Sequence, residues 1–140
     1  MINNKFKQTQ TPRKWEDLVA LKDYLSDCDP KILRLPGDYS FYSLYRELVP
    51  RKIALTIIER QIGKNRISLI LNNFPYTGIL QNLKNVQHYC LWSKEGKLNS
   101  SEIKSCVDKF FPQNRWFYSE RKIGHKSVPE IWHCHIFVEL

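Results

Sequence analysis

The sequence lacks long apolar segments, closely paired cysteines and the common glycine-rich nucleotide motifs. None of its apolar runs approaches the roughly 18 to 20 residues that span a bilayer, and its polar, basic start has no apolar signal-peptide core. It also has no Walker loop, GxGxxG fingerprint or nucleophile elbow, which argues against the enzyme classes built on those motifs. We therefore expect an intracellular protein without a membrane segment.

The cysteines are few and scattered, and no two of them form a CxxC pair. In a chain without a secretory signal, this pattern predicts reduced, buried thiols rather than a disulfide framework. The four positions are Cys28, Cys90, Cys106 and Cys134.

The composition is that of a folded, basic protein. The chain has 140 residues, of which 42% are hydrophobic and 13% aromatic, and its net charge is +8. The charge is uneven, because residues 41–72 carry six basic and two acidic side chains. A basic surface attracts phosphate-bearing partners, including RNA or DNA, although a solvated, lysine-rich surface has the same composition. No RGG tract or DNA-reading motif is present.

Hydrophobic periodicity predicts a helical first half and a strand-rich second half. We expect a flexible tail at 1–12 and one α+β domain at 13–140, helical over 13–63 and sheet-rich over 64–140. Asn99 and Glu102 are spaced as in a capping box, which predicts that a helix begins there. The expected architecture is N-terminal helices packed on an antiparallel sheet of four or five strands with one crossing helix. The predicted strands are 67–72, 86–93, 115–120 and 131–139, and the earlier helices lie after Pro12, at 39–48 and at 50–63.

The last predicted strand carries two histidines on one face. Alternate side chains of a strand point to opposite faces, so Trp132, Cys134, Ile136 and Val138 form an apolar face that looks like core. His133 and His135 share the other face. A neutral imidazole is a good nucleophile and general base near neutral pH, although histidines on a half-buried sheet face also serve as hydrogen-bonding structural residues.

Three sequence blocks resemble the fungal N-acetylglucosamine-induced protein family, a domain family of unknown function that also extends to large DNA viruses. The blocks are LNNFPY at 71–76, VQHYCLWSK at 86–94, and KSV at 126–128 followed by HCH at 133–135. The chain departs from the family pattern at Asn73, where an acid is usual, and at Phe74, where Trp is usual. The resemblance implies a viral or fungal setting, including a virus-infected host cell, and leaves the chemistry open.

The same order of blocks is similar, more faintly, to the histidine-triad superfamily of nucleotide hydrolases and transferases. There a strand with three alternating histidines faces the nucleotide α-phosphate, and the middle histidine is the nucleophile. One histidine is missing here: either Ile131 replaces the first, which makes His133 the nucleophile, or Phe137 replaces the last, which makes His135 the nucleophile. This resemblance implies a histidine-triad-like fold.

We predict a protein that binds a nucleotide or another phosphate-bearing ligand. A nucleotidyl hydrolase or transferase is the enzyme activity that fits this prediction. His133 and His135 are the predicted catalytic residues, while His88 and Asn72 would orient the ligand. The other predicted ligand-binding residues are Asn73, Tyr76, Lys94, Lys126 and Ser127. We expect no cofactor; the alternative is zinc held by the three histidines, with Cys90 as a fourth ligand.

The alternative function is a non-catalytic module. Its basic middle stretch would bind nucleic acid or a protein partner, as a separate protein or as a subunit of a larger viral assembly. The sequence leaves open whether the protein is an enzyme.

Overall fold

A four-stranded antiparallel sheet lies at the centre of the fold. The structure, a computed structural model, describes residues 11–122 and 128–140. Within them the strand order is β1-β2-β4-β3, so that the last strand of the chain is inserted between the second and the third. The α+β prediction with an antiparallel sheet is confirmed. The strands are β1 Ile67–Leu71, β2 Val86–Ser93, β3 Trp116–Ser119 and β4 Trp132–Glu139.

The helices lie before β1, between β1 and β2, and between β2 and β3. The predicted N-terminal helix is two short helices, because the backbone leaves the helical conformation at Leu21. Sequence periodicity missed α5 and a 3₁₀ turn at Pro30–Ile32, since a single turn is too short to show a repeat. No helix of the described residues has the length and apolar character needed to cross a membrane. The helices are α1 Trp15–Ala20, α2 Lys22–Leu25, α3 Pro36–Leu48, α4 Arg51–Ile62, α5 Thr77–Leu80 and α6 Ser100–Phe110.

The crossing helix α6 covers one face of the sheet. The predicted capping box is present: the Asn99 side chain accepts from the Glu102 amide, and the Glu102 carboxylate accepts from the Asn99 amide. Ile103 and Val107 turn inward and are fully buried. They pack in one cluster with Cys134, Ile136 and Val138 and with the other residues of this face, so the predicted apolar face of β4 is core.

The N-terminal helices cover the opposite face, which carries the histidines. Trp15 of α1 packs against Phe117 of β3, with ring centroids 5.6 Å apart. Ile58 and Ile62 of α4 pack in one cluster with Cys90 and Trp92 of β2. The histidine face is therefore not an open sheet surface but the lining of a helix–sheet interface.

All four cysteines are free, as the sequence predicted; Cys28, Cys90 and Cys134 are also buried as predicted, whereas Cys106 is only partly buried. Most of the predicted flexible tail, at residues 1–10, lies outside the described residues. Two predicted ligand-binding residues, Lys126 and Ser127, also lie outside them.

Candidate functional site

The pairing of β2 with β4 brings the predicted histidines together. In this antiparallel register His135 lies opposite Cys90, His133 lies opposite Trp92, and Phe137 lies opposite His88. Directly opposite residues of two paired strands point to the same face. The sequence did not reveal that β2 and β4 are neighbours, and this pairing is what unites His88 with the final strand.

A continuous set of hydrogen bonds links Tyr76, His88 and His135. The Tyr76 amide donates to His88 Nδ1 at 3.1 Å, so in the neutral ring the proton resides on Nε2. His88 Nε2 lies 2.8 Å from His135 Nδ1, which therefore accepts. The remaining His135 nitrogen, Nε2, carries the second proton and lies 3.2 Å from the Tyr76 hydroxyl. Both ring nitrogens of His135 are thus engaged within the protein.

Burial keeps this set of groups uncharged. Desolvation lowers the pKa of His88 well below its usual value, and the charge of Arg34 adds to the effect. Desolvation, followed by the neighbouring His88, lowers the pKa of His135 in the same direction. Burial also raises the pKa of the Cys90 thiol to about 12 and raises that of Tyr76 above its usual value. At neutral pH the two imidazoles are therefore neutral.

His133 differs from His135 in its hydrogen bonding. Its Nδ1 lies 3.1 Å from the Ile131 carbonyl oxygen, which can only accept, so Nδ1 carries the proton. In the neutral ring Nε2 is then the basic nitrogen. The ring stacks on Trp92, with centroids 4.2 Å apart, which fixes its orientation. This is the tautomer that a nucleophile or general base using Nε2 requires.

A cavity of about 140 Å³ lies between α3, α4 and the histidine face of the sheet. We call it the helix–sheet cavity. Its volume is similar to that of a cavity that admits benzene and below the roughly 300 to 1,000 Å³ of pockets for drug-sized ligands. It can hold a phosphate-sized group but not a whole nucleotide. The sheet and the adjoining loop line it with Asn72, Asn73, Phe74, Cys90, Trp92, His133 and His135, and the helical side with Arg34, Tyr42, Tyr45, Arg46, Arg51 and Gln61 among others.

Arg34 is the unusual residue of this cavity, because its guanidinium is buried without an acidic partner. Only 8% of the residue is exposed. Nε donates to the Phe74 carbonyl at 2.9 Å, and the guanidinium lies 3.9 Å from the centre of the Tyr42 ring. Among the described residues, no carboxylate pairs with it. No fully buried side-chain nitrogen or oxygen of these residues lacks a hydrogen-bond partner, and Arg34 is one of the residues that line the cavity.

Two further arginines line the cavity, and they differ in exposure and ion pairing. Arg46 is exposed and lies 5.7 Å from the centre of the Tyr42 ring, on which Arg34 also packs. Arg51 forms an ion pair with Glu130. Burial lowers the pKa of Arg34 from its usual range, but a guanidinium stays protonated at neutral pH. The cavity is therefore positively charged.

The other predicted ligand-binding residues differ in their position relative to the cavity. Asn72 lines the cavity, where its side chain accepts from the Phe74 amide and donates to Cys90 Sγ at 3.3 Å. Asn73 also lines it, but its amide is paired in both directions with Gln61 of α4. Tyr76 is buried behind the histidines rather than in the cavity. Lys94 is not brought to the site: its ammonium donates to the Gly63 carbonyl at 2.7 Å.

Sequence reasoning missed the helical side of the cavity. Arg34 stands between two leucines in a short segment with no motif, and Tyr42 and Arg46 read as ordinary helix residues. A basic stretch at 41–72 was visible, and it includes Arg46 and Arg51, but composition cannot tell a cavity arginine from a surface one.

Comparison with known proteins gives information on the fold. No family model and no curated protein matches this sequence. The crystal structure of HTC1 is similar, with a TM-score of 0.58 and 16% sequence identity over 92% of this chain and 86% of that one. At this identity the likeness extends to the α+β fold alone and transfers no site residue.

Proposed function

We propose that the protein binds a small phosphate-bearing ligand, with its anionic group in the helix–sheet cavity. The observation that carries this proposal is the buried guanidinium of Arg34, which lacks a carboxylate partner among the described residues. A buried charge is costly unless it is paired. A bound phosphate would supply that pairing, since a guanidinium fork matches phosphate oxygens in two parallel hydrogen bonds.

The size of the cavity limits what part of the ligand enters. A volume of about 140 Å³ accepts a phosphate group and a few attached atoms. For a nucleotide, the phosphate end would enter while the nucleoside remains at the mouth, near the exposed Arg46. A small phosphate ester would be enclosed completely.

Within this proposal, His133 rather than His135 carries out any transfer chemistry. Both nitrogens of His135 are held by His88 and Tyr76. His133 lines the cavity and donates from Nδ1 to the Ile131 carbonyl, so its basic nitrogen is Nε2. Attack by Nε2 on phosphorus would form a phosphorus–nitrogen bond and break the bond to the leaving oxygen. Water would then release the phosphoryl or nucleotidyl group from the imidazole.

The test is a binding titration of metal-free protein with inorganic phosphate and with adenosine monophosphate. Arg34→Gln should weaken binding by about 10- to 100-fold, the loss of one charge-assisted hydrogen-bonding partner. Arg121→Gln is the matched control, because Arg121 is equally buried but donates to the carbonyls of Leu25 and Cys28 and does not line the cavity. It should bind the same probes as the wild-type protein does.

In the same assay, His133→Gln should retain binding but lose any nucleotide hydrolysis. Absence of binding by the wild-type protein, or equal binding by Arg34→Gln, contradicts the proposal. Salt-sensitive RNA binding that is unchanged in Arg34→Gln and in His133→Gln would instead favour the nucleic-acid-binding alternative.

A further inference from the structure

Three metal-ligating side chains converge next to the helix–sheet cavity. His88, Cys90 and His135 each offer one ligand atom, and these atoms lie within 4.8 Å of one another. Backbone geometry explains the convergence: Cys90 lies opposite His135 across the β2–β4 pair, and His88 precedes Cys90 by two residues on the same face. The set therefore rests on two adjacent central strands and not on flexible loops.

We propose that His88 Nε2, Cys90 Sγ and His135 Nδ1 bind a zinc-class transition-metal ion. Two imidazoles and one thiolate form a typical borderline-soft donor set for such an ion, and three protein ligands leave the fourth position for water or a ligand. Cys90 and His135 also line the cavity, so the fourth position is near the anion site. The metal proposal stands without the anion proposal, because it requires no bound phosphate.

The distances are close to those of a coordinated ion. Two nitrogens on a tetrahedral zinc lie about 3.3 Å apart, and a nitrogen and a sulfur about 3.5 Å apart. Here the two nitrogens are 2.8 Å apart, and Cys90 Sγ is 3.8 Å from His135 Nδ1. The third pair, His88 Nε2 and Cys90 Sγ, lies within 4.8 Å, so side-chain shifts of up to about one ångström would convert the hydrogen-bonded arrangement into a coordinating one.

Two of the three ligands already have the surroundings that a metal site needs. A ligating histidine usually donates its other ring N–H to a neighbour, and His135 Nε2 lies 3.2 Å from the Tyr76 hydroxyl. Asn72 donates to Cys90 Sγ at 3.3 Å, which would stabilise a thiolate. The same Asn72 nitrogen also lies 3.2 Å from His88 Nε2.

His88 is the ligand that has to change. The Tyr76 amide donates to its Nδ1, so in the metal-free protein the proton lies on Nε2. On binding, that proton moves to Nδ1 and the hydrogen bond from Tyr76 is lost, while the Cys90 thiol proton leaves to solvent. Nδ1–H and the Tyr76 amide are then both donors, so the Tyr76 backbone has to shift, and an unsatisfied buried donor costs about 1–3 kcal/mol. This cost is small compared with the roughly 10–16 kcal/mol of structural zinc binding.

The experiment is a cobalt(II) titration of reduced, chelator-treated full-length protein in phosphate-free buffer. We expect one cobalt(II) per chain, a thiolate-to-cobalt charge-transfer band, and stoichiometric displacement by zinc. Cys90→Ser should abolish the band. Cys134→Ser is the matched control, since this buried thiol lies on the opposite face of the sheet and its loss should leave the band intact. Tyr76→Phe should weaken zinc binding by about 10- to 100-fold.

Two results would overturn the metal proposal: no charge-transfer band in the wild-type protein, or a band that persists in Cys90→Ser. If Cys90→Ser does not fold, the wild-type melting temperature decides, since zinc should raise it and an unchanged value contradicts binding. The anion titration uses metal-free protein and this one uses no phosphate, so either proposal can fail without the other.

Discussion

At the scale of single residues, the candidate site depends on hydrogen-bond direction. His133 and His135 are equivalent in the sequence, as alternate residues of one strand. The structure distinguishes them, because His135 is held at both nitrogens by His88 and Tyr76 while His133 donates from Nδ1 to a carbonyl. Which nitrogen carries a proton depends on partners from other strands and loops, so no local pattern could have predicted the difference.

Gly78 sets the position of Arg34 through a close approach of two backbones. The Gly78 amide donates to the Leu33 carbonyl at 3.0 Å. A Cβ at Gly78 would lie 2.8 Å from the Arg34 carbonyl carbon and 2.9 Å from the Ile32 carbonyl oxygen. Only a residue without a side chain lets the segment before α3 lie this close to α5.

We therefore predict that Gly78→Ala destabilises the protein by about 1–3 kcal/mol, because backbone rather than a flexible side chain must shift. It should also weaken phosphate binding by displacing Arg34. The control is Gly37→Ala in α3, where no atom lies within 4 Å of the added carbon and alanine favours the helix. Urea unfolding measures the stability of both variants. Equal unfolding midpoints for Gly78→Ala and the wild-type protein would contradict the prediction.

At the scale of elements, helix α6 is the one that its sequence defines most completely. Its capping box, the stop before Pro112 and its apolar stripe are all local signals. By contrast, α3 begins at Pro36 and not at the predicted residue 39, because Pro36-Gly37, a pair typical of turns, here forms the first turn of the helix. Only Tyr42 of α3 is buried, and the rings of Tyr42 and Tyr45 pack against Phe74.

The cap of α6 gives a prediction at this scale. Asn99→Ala removes the acceptor of the Glu102 amide and should lower the free energy of unfolding by about 1 kcal/mol. Ser101→Ala, one position into the exposed first turn, is the control and should be neutral or slightly stabilising. Chemical denaturation followed by circular dichroism compares the two, and a loss as large in Ser101→Ala would refute the capping explanation.

At the scale of the whole molecule, the two sides of the sheet are built differently. The α6 side is an apolar core, whereas the side under the N-terminal helices combines apolar clusters with the buried histidines, Cys90 and Arg34. Polar groups are retained there at the cost of desolvation. Such an arrangement is common where a protein binds a ligand or a metal ion.

The reactivity of the four cysteine thiols is a measure of how well the core is buried. Cys28, Cys90 and Cys134 are buried, while Cys106 on α6 is partly exposed. We predict that a thiol reagent modifies Cys106 first in the native protein and the other three only on unfolding. Cys106→Ser should remove the fast phase. Rapid reaction of several thiols in that variant would mean that the core opens more readily than the burial indicates.

The sequence by itself determined the α+β class, most element boundaries, the free cysteines and the division of β4 into an apolar and a histidine face. These properties follow from local periodicity, capping and turn residues, which act over a few positions. Only the tertiary structure decided that β2 lies beside β4, that Arg34 is buried without an acidic partner among the described residues, and that His88, Cys90 and His135 converge. Those features arise from contacts between residues that are distant in the sequence, such as His88 and His135, 47 positions apart, and no periodic pattern encodes such contacts.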